Sequence, residues 1–452
     1  MVPPQRRHGS SALPRLRRFL PPLPGPGLDH HPPGSAEPAQ RGSHRMSALS
    51  SPCPACGLPI TEAPFYRLAG VPANSVILCD TRNRALGIAR GDIALLCCPA
   101  CGLVFNRDYD PALCRYNEHY EESQSHSDVF TVFHRNLAAC LVERHGLRNR
   151  TILEIGCGKG DFLNLLCRLG DNRGIGYDPS YVPSRSRVTP AERVTIHPCR
   201  FPKAYDGPAP DCIICKMTLE HIPDVHAFLR DVCATIRPGR QPVVVFQVPD
   251  SEPIFTERRF WDIYYEHCTY FTRTSLTALF ARCGFQVLDL AGAYDRQYLV
   301  VTARPGVSPG VTPDDPEDAG SIATLAAAFA DTVGQDILDW RNVLQTRHRN
   351  GTRIALWGGG SKAVAFLTTL EIGDEVQMVV DINPHKQNAY LPGTGHRVAA
   401  PEELVRLGAD LVLAMNPVYL KEIDARLRGL GLSPLVLSPS LKALRLLVRE
   451  GC

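Results

Sequence analysis

Four cysteines stand in two near-identical motifs, Cys53-Pro-Ala-Cys56-Gly and Cys98-Pro-Ala-Cys101-Gly, with 41 residues between them. A C-x-x-C turn can grip one metal ion, and the glycine that follows relieves the crowded backbone. Two such turns make a tetrahedral four-sulfur site, which suits Zn²⁺. Four thiolates leave no open coordination position, so the expected role is structural. The competing reading is four buried or redox-active cysteines.

A second constellation is Thr151-Ile-Leu-Glu154-Ile-Gly156-Cys-Gly158-Lys-Gly160-Asp161, the pattern of a strand, a glycine turn and a helix start. Glycines let the backbone take positive φ and approach a ligand closely. Gly174-Ile-Gly-Tyr-Asp178 follows as a second strand ending in an acid. An acid there can accept both hydroxyls of a ribose, so the spacing suits a nucleoside ligand. A dinucleotide is the alternative, but the third glycine comes one residue too early for its G-x-G-x-x-G fingerprint.

Two further segments carry titratable groups. Asp211–Lys216 reads as a strand running into Met-Thr-Leu-Glu220-His221. Phe260-Trp-Asp-Ile-Tyr264-Tyr265-Glu266-His267-Cys-Thr-Tyr270-Phe271 follows the strand-like Pro242–Gln247. Such a segment can supply a wall, a base and the carboxylate that orients it. In a doubly wound sheet ligands sit beyond the carboxyl ends of the strands, which brings His221 towards the nucleoside.

The elements that must position these groups alternate. Strand-like runs at Thr151–Ile155, Gly174–Tyr177, Asp211–Lys216, Pro242–Gln247, Gln286–Ala291 and Gln297–Ala303 are separated by helix-like stretches, the βαβ rhythm of an α/β sheet. A helix is expected over Phe130–His145 and a long one over Ser321–His348. The expected organisation is a disordered tail over 1–49, a zinc-binding module over 50–110, a doubly wound domain with a helical lead-in over 111–305, a linker over 306–320, and a long helix with a C-terminal Rossmann-like α/β domain over 321–452. In the last part, Ile354-Ala-Leu-Trp-Gly358-Gly359-Gly360-Ser361-Lys362 is another strand, glycine turn and helix start. Its N–H groups and Lys362 could hold a phosphate.

Glu-Ile-Gly-Cys-Gly-Lys-Gly followed by Tyr-Asp178 resembles motif I and the ribose acid of class I S-adenosylmethionine-dependent methyltransferases. That resemblance implies a cofactor site of Glu154, Gly156, Gly158, Gly160 and Asp178. The order of cysteine module, methyltransferase core, Tyr-x-Glu-His segment and C-terminal α/β domain resembles the zinc-containing sugar C-methyltransferases, over nearly all of residues 50–440. By that resemblance His267 is the base that deprotonates the carbon beside a ketone. Tyr264 or a protonated His221 would bond the developing enolate oxygen, and Glu266 would orient the imidazole or raise its pKa. Tyr120, or its near neighbour Tyr116, would help bind a nucleotide-linked keto-deoxysugar, together with Lys362 and Tyr419 of the loop Asn416-Pro-Val-Tyr419. A structural or dimerising C-terminal domain is the competing reading there. The alternatives in function are O- or N-methyl transfer on the same scaffold, or a scaffold that only binds.

Composition narrows the field. Lys+Arg is 49 and Asp+Glu is 46, a net charge of +3, too small for a general nucleic-acid binder. Residues 1–45 hold seven Arg against Asp29 and Glu37, so the other 407 residues carry −2. Ten of the 39 prolines also fall in that stretch, which reads as disorder, with Met46 the expected start of translation. No apolar run of about 18 residues calls for a membrane. Seventeen scattered cysteines do not form a disulfide framework and suggest a reducing cytoplasm.

Overall fold

Apolar runs with no polar alternation are expected of parallel strands buried on both faces. The central strands have this character: β1 (Thr151–Ile155) is buried over its last four residues, and Cys212–Lys216 is buried throughout. A computed structural model describes residues 50–188, 191–307 and 316–449 of the chain. The expected tail over 1–49 and the centre of the expected linker lie outside them.

A seven-stranded sheet is built from β1, β2 (Arg173–Tyr177), β3 (Val194–His197), β4 (Cys212–Lys216), β5 (Val243–Pro249), β6 (Phe285–Ala293) and β7 (Tyr298–Pro305) in the order 3-2-1-4-5-7-6. Strands β1 to β5 are parallel, and β7 runs antiparallel to both neighbours. The order reverses between β1 and β4, so a crevice opens at their carboxyl ends. Helices Asp128–His145 and Asp161–Gly170 cover one face, through Leu141, Val142, Phe162 and Leu166. Helices Val225–Ala234 and Arg273–Arg282 cover the other, where the cysteine turns also pack.

Four antiparallel strands make a second sheet, in the order Thr269–Tyr270, Val104–Asn106, Arg90–Cys97, Tyr66–Pro72. Its edge strand Thr269–Tyr270 comes from far along the chain, directly after the Tyr264–His267 segment. The cysteine module is thereby stitched to the segment with the densest titratable groups: Asn106 N–H donates to the carbonyl of Cys268 at 2.9 Å.

A third sheet, all parallel, has the order β10-β9-β8-β11-β12, with β8 Ile354–Trp357, β9 Met378–Val380, β10 Val398–Ala399, β11 Leu411–Ala414 and β12 Leu435–Leu437. The long helix before it spans Pro316–Arg349 and starts five residues earlier than expected. Proline is tolerated in a first turn, where its missing N–H has no partner to lose. One continuous core joins this helix, the C-terminal sheet and the N-terminal sheet: Tyr66, Ile93, Trp261, Phe329, Trp340 and Phe366 pack together. All described residues belong to one compact unit. No helix among them is long and apolar enough to cross a membrane.

Candidate functional site

The turn after β1 is a succession of left-handed glycines, with φ of 70° at Gly156, 55° at Gly158 and 80° at Gly160. At Gly156 a Cβ would fall 1.9 Å from Oγ1 of Thr218, so the position has no room for a side chain. Gly160 caps helix Asp161–Gly170 and packs on Ile196 rather than facing the crevice. The acid that ends β2 closes the turn: Asp178 accepts from the N–H of Gly158 at 2.8 Å and from the N–H and hydroxyl of Ser180 at 2.7 Å each. Glu154 is buried, with one carboxyl oxygen free of partners. Burial raises its pKa, and the nearby Lys216 opposes the shift. Lys216 itself reaches His134 Nε2 at 2.9 Å and sits over the ring of Phe162.

Beyond the carboxyl ends of β4 and β5 two histidines meet. His221 ends the short turn Leu219–His221. His267 closes a turn in which its N–H donates to the carbonyl of Tyr264 at 3.1 Å. The rings are perpendicular, with centroids 4.9 Å apart. The hydroxyl of Tyr264 lies 3.0 Å from His267 Nε2, and that of Tyr116 lies 3.1 Å from His221 Nδ1. Burial pulls His221 down to about 4. Burial also holds His267 well below its usual value, helped by His221 and Lys362. Both rings are therefore neutral at pH 7, which departs from the expectation that a protonated His221 acts as a cationic donor.

Glu266 also departs from expectation. Its carboxylate bonds to the side-chain amide of Asn74 at 2.8 Å, to the N–H of Ser75 at 3.0 Å and to the Ser75 hydroxyl, and it orients neither imidazole. Glu266 is the third residue of the Tyr264–His267 turn, and its side chain leaves that turn towards Asn74 and Ser75. Only the backbone of Glu266 serves the pair: its carbonyl lies 2.9 Å from His221 Nδ1.

The residues expected to bind substrate are dispersed around one cavity. Tyr120 packs 5.1 Å from Tyr116, ring to ring, and its carbonyl accepts from Lys159 at 2.8 Å. Lys362, on the helix after β8, pairs with Asp262 at 2.7 Å. Tyr419 donates to Gln124 at 2.8 Å. Sequence reasoning named Tyr116 only as a variant of Tyr120, and it left Asn74, Ser75, Asp262 and Glu220 without roles. For Glu220 the signal was present, since it immediately precedes His221; for Asn74 and Ser75 there was none.

The cavity measures about 1300 Å³ and runs from Gly156, Gly158 and Asp178, past His221, His267 and Tyr264, to Gly360, Lys362 and Tyr419. A single small-ligand site commonly spans about 300–1000 Å³, so this one has room for two molecules side by side.

On the far face of the seven-stranded sheet the four cysteines converge. Cys53 and Cys101 sulfurs are 3.7 Å apart, Cys56 and Cys98 sulfurs 3.5 Å, and all four lie within 4.8 Å of one another. A tetrahedron of Zn–S bonds near ~2.3 Å has edges of roughly 3.8 Å, so the donor set fits Zn²⁺. The two turns are copies in backbone as well as sequence. Gly57 N–H donates to Cys53 carbonyl and Gly102 N–H to Cys98 carbonyl, with φ of 78° and 68° at the two glycines.

Residues 125–290 match the family model described as a methyltransferase domain, and residues 316–431 the one described as a C-methyltransferase C-terminal domain. The C-methyltransferase NovU of Streptomyces niveus is 25% identical over 322 residues, covering 68% of this chain and 76% of its own. The ubiquinone biosynthesis O-methyltransferase of Methylobacterium sp. (strain 4-46) is 32% identical over 98 residues, 21% of this chain and 39% of its own. Among solved structures, the 1,6-didemethyltoxoflavin-N1-methyltransferase of Burkholderia thailandensis is 22% identical and superposes on 40% of this chain and 81% of its own, with a TM-score of 0.30. Magnesium protoporphyrin IX methyltransferase of Synechocystis PCC 6803 is 14% identical over 39% of this chain and 84% of its own, with a TM-score of 0.31.

Proposed function

From a chain that is an S-adenosylmethionine-dependent methyltransferase with a C-methyltransferase C-terminal domain, we propose that it methylates the carbon beside a ketone in a nucleotide-linked deoxysugar or a related metabolite. The observation that carries this reading is the neutral Tyr264–His267 pair, held at 3.0 Å and facing the same cavity as the glycine turn. Such a carbon is not nucleophilic until it loses a proton, and a neutral imidazole can accept one. Bound at the turn, S-adenosylmethionine supplies a sulfonium methyl that the resulting enolate carbon can attack in line.

The chain's own groups divide the work. Gly156, Gly158 and Gly160 shape the turn, and Asp178 both closes it and offers a carboxylate for a ribose. Glu154 lies at its base. His267 takes the substrate proton, and the Tyr264 hydroxyl fixes the ring that does so. His221 walls the site as a neutral ring. Glu266 anchors the Tyr264–His267 segment on Asn74 and Ser75. Lys362, Tyr120 and Tyr419 line the path along which a nucleotide sugar extends towards the C-terminal sheet. Cys53, Cys56, Cys98 and Cys101 hold a structural Zn²⁺.

A second reading, O- or N-methyl transfer, draws on the 98-residue match to an O-methyltransferase. Carbon-13 methyl-labelled S-adenosylmethionine, offered with a panel of nucleotide-linked 4-keto sugars, separates the two. A high-field C–CH₃ signal in the product supports C-methylation; an O–CH₃ or N–CH₃ signal overturns it.

A further inference from the structure

A buried carboxyl with no partner is costly, so each one in a folded protein calls for an explanation, a catalytic role among them. Glu220 is such a group. It is 1% exposed, and both carboxyl oxygens are buried without a hydrogen bond. Its backbone is pinned from the opposite segment, with its carbonyl accepting from the N–H of Cys268 at 2.9 Å and from the Cys268 thiol at 3.5 Å. The residue lines the cavity, and a carboxyl oxygen lies within 4.8 Å of ring nitrogens of both His221 and His267.

The groups around it already pair with one another. His221 Nδ1 donates to the Glu266 carbonyl, the Tyr264 hydroxyl lies 3.0 Å from His267 Nε2, and the Tyr116 hydroxyl lies 3.1 Å from His221 Nδ1. The titratable groups that face Glu220 are Cys215 on β4, His221 in the turn after it, Tyr264, His267 and Cys268 on the loop after β5, and Tyr298 on β7. None of them is a cation at pH 7. Burial accordingly pushes Glu220 up to about 8, and a carboxyl kept uncharged has one O–H to give.

We infer that Glu220 is a catalytic residue whose carboxyl O–H hydrogen-bonds the substrate's ketone oxygen as that oxygen gains enolate charge. This rests on the proposed enolate chemistry. In the step, the C–H bond breaks and its proton goes to His267. The C–H electron pair becomes the enolate double bond, and the carbonyl π pair moves onto oxygen. Glu220 keeps its proton throughout. The new C–C bond then forms as the methyl–sulfur bond breaks, its pair leaving with sulfur. A preorganised donor of this kind contributes on the order of 10²–10³ in rate.

The test uses the full chain with zinc bound, the nucleotide-linked 4-keto sugar that the wild type methylates, and S-adenosylhomocysteine in heavy water, so that enolisation is read as loss of the proton signal beside the ketone. Exchange in the wild type is required; its absence overturns the enolate reading and this inference with it. We expect Glu220→Ala to slow both exchange and kcat at least 100-fold with KM within a few-fold. Glu220→Gln, whose amide still donates, stays within about tenfold and guards against a folding artefact in the alanine variant. In the wild type kcat falls above about pH 8, and in Glu220→Gln it stays level there. Exchange in Glu220→Ala within threefold of the wild type overturns the role of Glu220 alone. So does Glu220→Gln as slow as Glu220→Ala, or a requirement for added Mn²⁺ or Mg²⁺, which would place a cation on Glu220, His221 and His267 instead.

Discussion

The carbonyl oxygen of Glu266 accepts a hydrogen bond from Nδ1 of His221 at 2.9 Å. A carbonyl can only accept, so Nδ1 carries the proton and Nε2 is left as a lone pair. The residue beside His267 therefore sets the tautomer of the other histidine through its backbone, while its side chain holds the loop to Asn74 and Ser75. The two rings are oriented by one piece of chain.

That arrangement makes His267 separable from cofactor binding. His267→Ala should lower methyl transfer at least 100-fold and leave S-adenosylmethionine affinity within a few-fold, because the glycine turn and Asp178 make no contact with the ring. Calorimetry and single-turnover transfer measure the two. Unchanged turnover would remove His267 as the base.

The pH profile follows from the depressed histidines. A base must be neutral to accept a proton, and a lowered pKa keeps it neutral further into acid. His221 titrates near 4, and His267 is held well below its usual value. The groups facing His267 are His221, Lys362, Tyr264, Tyr270 and Glu220, none of them an anion at pH 6. Activity should therefore hold level from pH 7 to pH 5.5. An acid limb centred near 6.5 would show that the base is an ordinary, solvated histidine.

Gly156→Ala should be more damaging than a surface glycine exchange. The new Cβ meets Thr218 at 1.9 Å and must sit at φ 70°; left-handed backbone alone costs a residue with a Cβ about 1–2 kcal/mol. We expect cofactor affinity to fall at least tenfold. Asp178→Ala should fall comparably, since it removes both the proposed ribose acceptor and the group that holds Gly158 N–H. Affinity within twofold of the wild type in both would contradict the assignment of this turn to the cofactor.

Metal analysis should find one Zn²⁺ per chain. Cys98→Ser should lose it and lower the melting temperature by 10 °C or more, given the large share that structural zinc contributes to folding. A zinc-free wild type with an unchanged melting curve would return the cluster to four buried thiols.

Much of the frame was legible because parallel strands buried on both faces read as apolar runs. β1 runs over the residues expected of it, and β2, β4, β5, β6 and β7 differ from expectation by a residue or two at their ends. Tyr264 and His267 were legible because three residues round one turn bring side chains together. Glu266 was misplaced by the same proximity in sequence, since an immediate neighbour points the other way. Its partners Asn74 and Ser75 lie 192 and 191 residues away, a pairing that no local pattern encodes. The orphaned state of Glu220 is likewise a property of packing rather than of sequence.

The zinc proposed for the twin cysteine turns would have a consequence beyond the turns themselves. The 41 residues they bracket include Asn74 and Ser75, the anchor of the Tyr264–His267 loop. With metal in place the two ends of that excursion are tied as by a covalent staple, which removes about 4 kcal/mol of loop-closure entropy from the unfolded chain in the chain-entropy estimate for a loop of this length. The staple sits on one face of the sheet while the loop it steadies works beyond the carboxyl ends of its central strands. Loss of the ion would thus register first as a loosened active-site wall and only afterwards as a lower melting point.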